Sequence, residues 1–270
     1  MNITVFNPLS LLTKINATAS YYEQLRSRLT VKKVVGKNFV RVGNHNDGGY
    51  IMVDNFNASE GGAIAYSFGI SDDVSWDAVM AARGYEIFMY DPTIDALPAT
   101  HPKFHFFREG IAGFEFKEHL LNTLEHFIGV NGHADCDNMI LKMDVEGAEW
   151  SFLATISSEL LSRFDQMVFE FHDLIAPKDQ SVMNATLACI SKINRTHSLV
   201  HVHANNCGAF MILDDKILVP DVLELTYVKT ANYQLADDAN LLLPLPIDEP
   251  NSPVRQIFRW AFGTGGSTTC

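Results

Sequence analysis

Three pairs of side chains concentrate the chemistry this chain could do. Lys142 and Asp144 lie two residues apart, as do Glu170 and His172, and His201 and His203. In an extended strand, residues two apart share a face, so each pair presents its groups together. An E-x-H pair beside an H-x-H pair could furnish a general base or ligate a divalent cation. The plainer readings stand beside these. Asp144 could cap the following helix. Lys142, inside an apolar run, needs a buried partner that Asp144 or Glu170 could supply. The histidines could be a satisfied core pair. Glu146, two residues past Asp144 in "ILKMDVEGAEW", reads as a cap or an anchor.

A second constellation involves Gly69 and Asp91, 22 residues apart, each at the end of an apolar run. A glycine after a strand lets a ligand approach the backbone, and a later acid can bond ribose hydroxyls. Yet "FGISDDVS" holds one glycine and not G-x-G-x-x-G, and it sets Asp72 and Asp73 where a helix begins. A helix N-terminus that welcomes pyrophosphate would repel it through two carboxylates. A positively charged nucleoside without phosphates fits better, and S-adenosylmethionine is such a ligand. Alternatively, Asp72 and Asp73 simply complement the helix dipole, and Asp91, before Pro92, is a turn residue.

The elements that must position these residues alternate. Strands are expected over 63–68, 86–91, 103–111, 138–145, 166–172, 198–204, 208–213 and 222–228. Helices are expected over 17–30, 73–84, 116–128, 147–157 and 180–194. "RVGNHNDGGYIMVD" reads as two short extended pieces joined by a tight turn at Asp47-Gly48-Gly49. Such alternation implies βαβ units and a mostly parallel α/β sheet. The last connections are too short for crossover helices, so an antiparallel strand is expected near the C-terminus. Ligands of such sheets bind beyond the carboxyl ends of the strands, where Ser71, Arg108, Glu109, Asn205 and Asn206 also fall. The division expected is a helical extension over 1–40, a main domain over 41–230 and an irregular tail over 231–270.

The chain has 270 residues, 47% of them apolar, and a formal net charge of −12. That length suits one large domain, and the acidity argues against a nucleic-acid partner. Cys136, Cys189, Cys207 and Cys270 form no C-x-x-C pair, which fits a reducing cytoplasm better than a disulfide scaffold. No apolar run is long enough for a membrane span, and the first residues lack the pattern of a signal peptide. The sequons at Asn16, Asn57, Asn184 and Asn194 are then read as chance. Phe258 and Trp260 in the tail would permit a homodimer.

"LKMDVEGAEW" resembles the hallmark segment of the FkbM-like S-adenosylmethionine-dependent methyltransferases, and "RVGNHNDGGYIM", "YSFGISDDVSWD" and "VHVHANN…VPDVLELTYV" resemble its flanking segments. The resemblance covers about residues 40–228. It implies a Rossmann-like seven-stranded methyltransferase sheet and O-methylation of a hydroxyl on a sugar or related small molecule or glycan. In the site it implies, Gly69, Ser71, Asp91 and Asp144 hold the cofactor, and Asp47, Gly48, Gly49 and Tyr50 fold over its amino-acid end. His203 or His172 is the expected base, with Glu170 orienting the imidazole or the sugar and Asp144 near the methionine part or the acceptor hydroxyl. Lys142, Glu146, His201, Asn205 and Asn206 are expected on the substrate side, with no metal. The alternatives are a metal-assisted hydrolase or other sugar-modifying enzyme using Glu170, His172, His201 and His203, a nucleotide-dependent dehydrogenase, and a non-catalytic binding module.

Overall fold

In the computed structural model, residues 19–255 are described, apart from 57, 59–62, 117–119, 176–178, 214–216 and 239–240. The expectations for 1–18, Asn57, Phe258, Trp260 and Cys270 lie outside the described residues. Seven strands form the main sheet: β1 (Ala63–Phe68), β2 (Tyr85–Tyr90), β3 (Phe104–Phe107), β4 (Met139–Met143), β5 (Phe164–Phe171), β6 (His197–Ala204) and β7 (Leu223–Lys229). Their spatial order is β3-β2-β1-β4-β5-β7-β6. β1 pairs in parallel with β2 and β4, as do β2 with β3 and β4 with β5. Only β7 is reversed, antiparallel to both β5 and β6. The expected α/β class, seven-stranded and mostly parallel with an antiparallel strand near the C-terminus, is what the chain forms.

Period-two alternation along the strands gives the sheet two apolar faces. On one face Tyr66, Phe68, Leu141, Met143, Phe169 and Phe171 pack under helices. Those helices are α1 (19–28), α3 (Leu124–Val130), α4 (Glu149–Thr155), α5 (Ser158–Leu161) and α6 (Gln180–Ile193). The helix of the expected N-terminal extension belongs to this core, through Tyr21, Tyr22 and Leu25. On the other face Ala65, Ile87, Met89, Ile140 and Val168 meet α2 (Ser75–Ala82) and an antiparallel hairpin, Phe39–Val42 with Tyr50–Val53. The first boundary and the last are also bridged by pairing, Lys33–Val34 against Leu235–Ala236.

Three expectations change. The helix expected over 116–128 begins at Leu124, because Thr123 takes an extended conformation and its side chain caps the N–H of His126. Before it, Leu121–Asn122 pairs with Gly110–Ile111. The run 103–111 is therefore split, β3 ending at Phe107 and Gly110–Ile111 forming a separate small ladder. Phe210–Leu213, expected in the main sheet, forms its own antiparallel hairpin with Ile217–Pro220. Among the described residues, no helix is long and apolar enough to cross a membrane.

Candidate active site

The strand order reverses between β1 and β4, and a crevice opens there beyond the carboxyl ends. Gly69 leaves β1 with φ +77°, and a Cβ on it would lie 1.6 Å from the Asp144 carbonyl oxygen. Glycine is required there for both reasons. Its N–H bonds the Tyr90 carbonyl at 3.1 Å, and its carbonyl accepts from Lys142 Nζ at 2.6 Å.

The crevice encloses about 730 Å³. One end is apolar, with Pro92 and Leu121 flanking Gly110 closely enough that a Cβ there would collide with both. Ile111, Val145 and Ala148 add to it. The other end is acidic. Its wall is the hairpin turn, where Gly48 lies so close to Asp73 that a Cβ would sit 2.0 Å from Oδ2. The Asn44 side chain donates to the same carboxylate at 3.2 Å. Asp73 in turn accepts from the Ser75 N–H at 2.7 Å, opening α2. The residues lining the crevice bring six carboxylates (Asp47, Asp72, Asp73, Asp91, Asp144, Glu146) and one ammonium, Lys142. That balance repels pyrophosphate and attracts a cation.

Asp91, expected to bond ribose hydroxyls, is instead bound into the loops beside it. Oδ2 accepts from Ile70 and Ser71 N–H at 2.8 and 2.9 Å, and Oδ1 from Thr93 N–H and Oγ1 at 2.8 and 2.5 Å. Burial raises its pKa, but these bonds outweigh burial and leave it lowered. Four donors fill a carboxylate's usual acceptor sites, so Asp91 shapes the Gly69–Ser71 loop.

Beyond Asp144 the polar face continues across the sheet. Glu170 stands directly opposite Glu224 on β7, and His203 opposite Glu224 on β6. Two carboxylates facing each other in a buried row cannot both ionise cheaply. Burial, then Asp144 and Glu224, raise Glu170 well above the usual carboxylate range. Burial chiefly lifts Glu224 to about 8, with Asp47 and Asp144 adding to it. Asp144 is raised as well, by burial, against the opposing pull of Lys142 and His172. Tyr50 donates to Asp144 Oδ2 at 3.2 Å. His172 lies 3.3 Å from Glu149, 3.5 Å from Glu146 and Glu170, and 4.0 Å from Asp144. Burial pulls its pKa down, but these acids, Glu149 foremost, carry it up to about 9. It is an imidazolium at neutral pH and so not a free base.

Of the residues expected in the site, Asp47, Gly48, Tyr50, Gly69, Ser71, Asp91, Lys142, Asp144 and Glu146 line the crevice. Gly49 supports the turn, packed on the Asn44 carbonyl, while Glu170 and His172 stand beside Asp144. Glu146 is a solvent-facing residue with φ +53°. The anchor of that turn is Glu149, fully buried, whose oxygens accept from Val145 and Gly147 N–H at 2.8 Å each.

His201, His203 and Asn206 do something else. They hold the segment 245–255. His201 Nε2 bonds Asp248 Oδ2 at 3.0 Å, His203 Nε2 donates to Asn251 Oδ1 at 3.2 Å, and Asn206 accepts from Ser252 N–H at 2.7 Å. Burial drives His203 down to about 4 despite Asp248. His203 is thus a neutral, enclosed clamp, and the expectation that it is the base gives way. Asn205 Nδ2 donates to Glu170 at 2.9 Å. The segment also reaches the hairpin turn, since Asn251 Nδ2 donates to Asp47 at 3.1 Å and to Glu224 at 2.5 Å.

Sequence reasoning missed Glu224, Asp248 and Asn251. Glu224 opens a reversed strand, so a search of strand exits passes over it. Asp248 and Asn251 sit in a segment with no periodicity. Two groups, Asp144–Glu149–His172 and Asp47–Glu170–Glu224, each bring possible ligand atoms within 4.8 Å of one another. The first already has its Glu149 oxygens spent on backbone N–H groups.

No family model matches the chain. Over 118 residues it is 30% identical to human "Probable methyltransferase-like protein 24", a match covering 40% of this chain and 32% of that protein. The match thus spans about a third of that relative's length. Among solved structures, "Putative hemolysin from Streptococcus thermophilus" is 12% identical with a TM-score of 0.35, over 67% of this chain and 71% of the other. A "Putative methyltransferase from antibiotic biosynthesis pathway" of Anabaena variabilis is 11% identical with a TM-score of 0.29, over 56% and 59%. At those scores the fold assignment rests on the sheet order itself.

Proposed function

We propose that this chain is an S-adenosylmethionine-dependent O-methyltransferase acting on a hydroxyl of a sugar or a sugar-containing metabolite. The observation that supports the reading is the lining of the crevice at the β1–β4 switch point, which joins apolar Pro92, Ile111 and Leu121 to acidic Asp47, Asp73 and Asp144. A flat base suits the apolar residues, and a sulfonium and an ammonium suit the acidic ones. Gly69 lets the turn after β1 close against the Asp144 carbonyl at the crevice, and the partial similarity to a methyltransferase-like protein supports the same class.

When bound, S-adenosylmethionine supplies an electrophilic methyl carbon. The chain's own work is to align the acceptor oxygen and to take its proton. Orientation of this kind contributes roughly 7–11 kcal/mol at its best. Asp144 is the group placed to accept the hydroxyl proton: it lines the crevice, and its raised pKa makes it a stronger base than an ordinary carboxylate. The His172 imidazolium and the Tyr50 hydroxyl hold it in place. Glu170, Glu224 and Asn205 are buried next to this group and bonded within the fold, so they support the acceptor side from behind the crevice lining.

Calorimetric titration with S-adenosylmethionine tests the reading, with saturable binding expected and no binding of a nicotinamide dinucleotide. The reverse pattern would favour a dehydrogenase. The hydrolase alternative loses its assembled cluster, because His201 and His203 are enclosed under the 245–255 segment. A chelator that leaves methyl transfer intact would dispose of it.

A further inference from the structure

Asp77, on the first turn of α2, is fully buried, and neither carboxylate oxygen has a hydrogen-bond partner. The Ser67 hydroxyl faces it without closing a hydrogen bond. Ser67 and Lys142 are direct partners across β1 and β4 and so share the face that α2 covers. Burial raises the pKa of Asp77, and the Lys142 ammonium is the cation that opposes that rise. Lys142, itself buried, spends one hydrogen on the Gly69 carbonyl at 2.6 Å, and Asp144 and the Tyr50 ring lie to its other side. A carboxylate buried without hydrogen bonds is costly to the fold. Such costs persist at positions that serve a site.

We infer that Asp77 is a positioning residue: its buried carboxylate draws the Lys142 ammonium beneath β1 and so fixes the Gly69 carbonyl and the loop 69–71 in the shape that receives the cofactor. The inference rests on the cofactor reading above, but it makes a claim about the loop that holds with no ligand present. Two carboxylates, Asp77 and Asp144, attract Lys142. Without Asp77 the ammonium swings to Asp144, the Gly69 carbonyl loses its donor, and the Ile70 and Ser71 N–H groups that Asp91 gathers are released more often.

The test compares D77N, K142M and D77N/K142M in the full chain. Amide hydrogen exchange at Ile70 and Ser71, read without ligand, should speed up about tenfold in D77N. Affinity for S-adenosylmethionine should fall at least tenfold. The thermal midpoint should hold or rise, since an unpartnered buried charge is gone. The double variant should be no worse than K142M alone. Unchanged exchange in D77N overturns the inference, as does an effect that adds in full to K142M, or a loss of affinity that only follows a fall in thermal midpoint. If D77N does not fold, Asp77→Ser serves in its place under the same criteria. If the wild type fails to bind S-adenosylmethionine, the cofactor reading falls while the exchange measurement still decides the role of Asp77.

Discussion

The same residue type does opposite work at neighbouring positions, and environment decides which. Asp91 has its four acceptor sites filled by loop donors and is held ionised. Asp144 faces the crevice with one tyrosine donor, and its pKa is raised. On the function proposed above, catalysis is assigned to the second. Asp144→Asn should lower kcat by roughly 10²–10⁴ while leaving the affinity for S-adenosylmethionine within a few-fold, as measured by steady-state rates beside calorimetry. An equal loss in affinity and rate would instead make Asp144 a cofactor ligand. The sequence exposed Lys142, Asp144, Glu170 and His172 because a period of two marks a shared strand face. It could not separate Asp91 from Asp144, since two of the four donors that saturate Asp91 come from Ile70 and Ser71, on a loop about 20 residues earlier. Nor could it tell that His172 is an imidazolium, because the decisive acid, Glu149, is a residue of the next helix.

Among elements, the strands and their order follow from alternation and connection length, and most of the expected strands and helices of the main sheet lie within a few residues of their place. What failed was punctuation. Thr123 starts a helix that apolar spacing alone would begin at 116, and a polar cap overrides periodicity because it satisfies an otherwise orphaned N–H. The segment 245–255 has no periodicity at all, yet its Asp248 and Asn251 reach β6, β7 and the hairpin turn. His203→Ala should therefore act through this clamp. It should cost about 2 kcal/mol of stability and raise KM for the acceptor, with affinity for S-adenosylmethionine unchanged. Chemical denaturation and initial rates measure the two. A collapse of kcat at unchanged KM would return His203 to the chemistry.

At the scale of the whole molecule, buried titratable groups set how stability depends on pH. His197 and His203 have folded pKa values of about 4, below the ordinary value. The unfolded chain therefore binds more protons than the folded one as pH falls from about 6.5, and stability is lost progressively toward pH 4. Glu224, at about 8, and His172, at about 9, are raised. Folded protein retains their protons when the unfolded chain has released them, so stability also declines as pH rises from 6.5 through 8 to 9. Between 4.5 and 6.5 the raised Glu224 and Glu170 offset the two histidines, so the profile there is shallow. From pH 6.5 to 8 stability should fall by on the order of 3 kcal/mol, measured by urea denaturation across pH. A flat profile from 6.5 to 9 would mean that Glu224 and His172 are not buried together as described. Occupancy of the crevice by a cation should stabilise the carboxylates and move that decline to higher pH.

The reversed direction of β7 has an evolutionary corollary. A parallel strand is entered from the far side of a sheet, so lengthening the chain before it disturbs the opposite edge. β7 is entered at the rim where β6 has just ended, so the stretch from 205 to 222 departs from and returns to one place. Beyond Asn205 and Asn206, which bond Glu170 and the 245–255 segment, residues can be added to that excursion without shifting a register in the sheet. It is the natural site at which related chains would vary while sharing one scaffold, and the first place to randomise in redesigning this one.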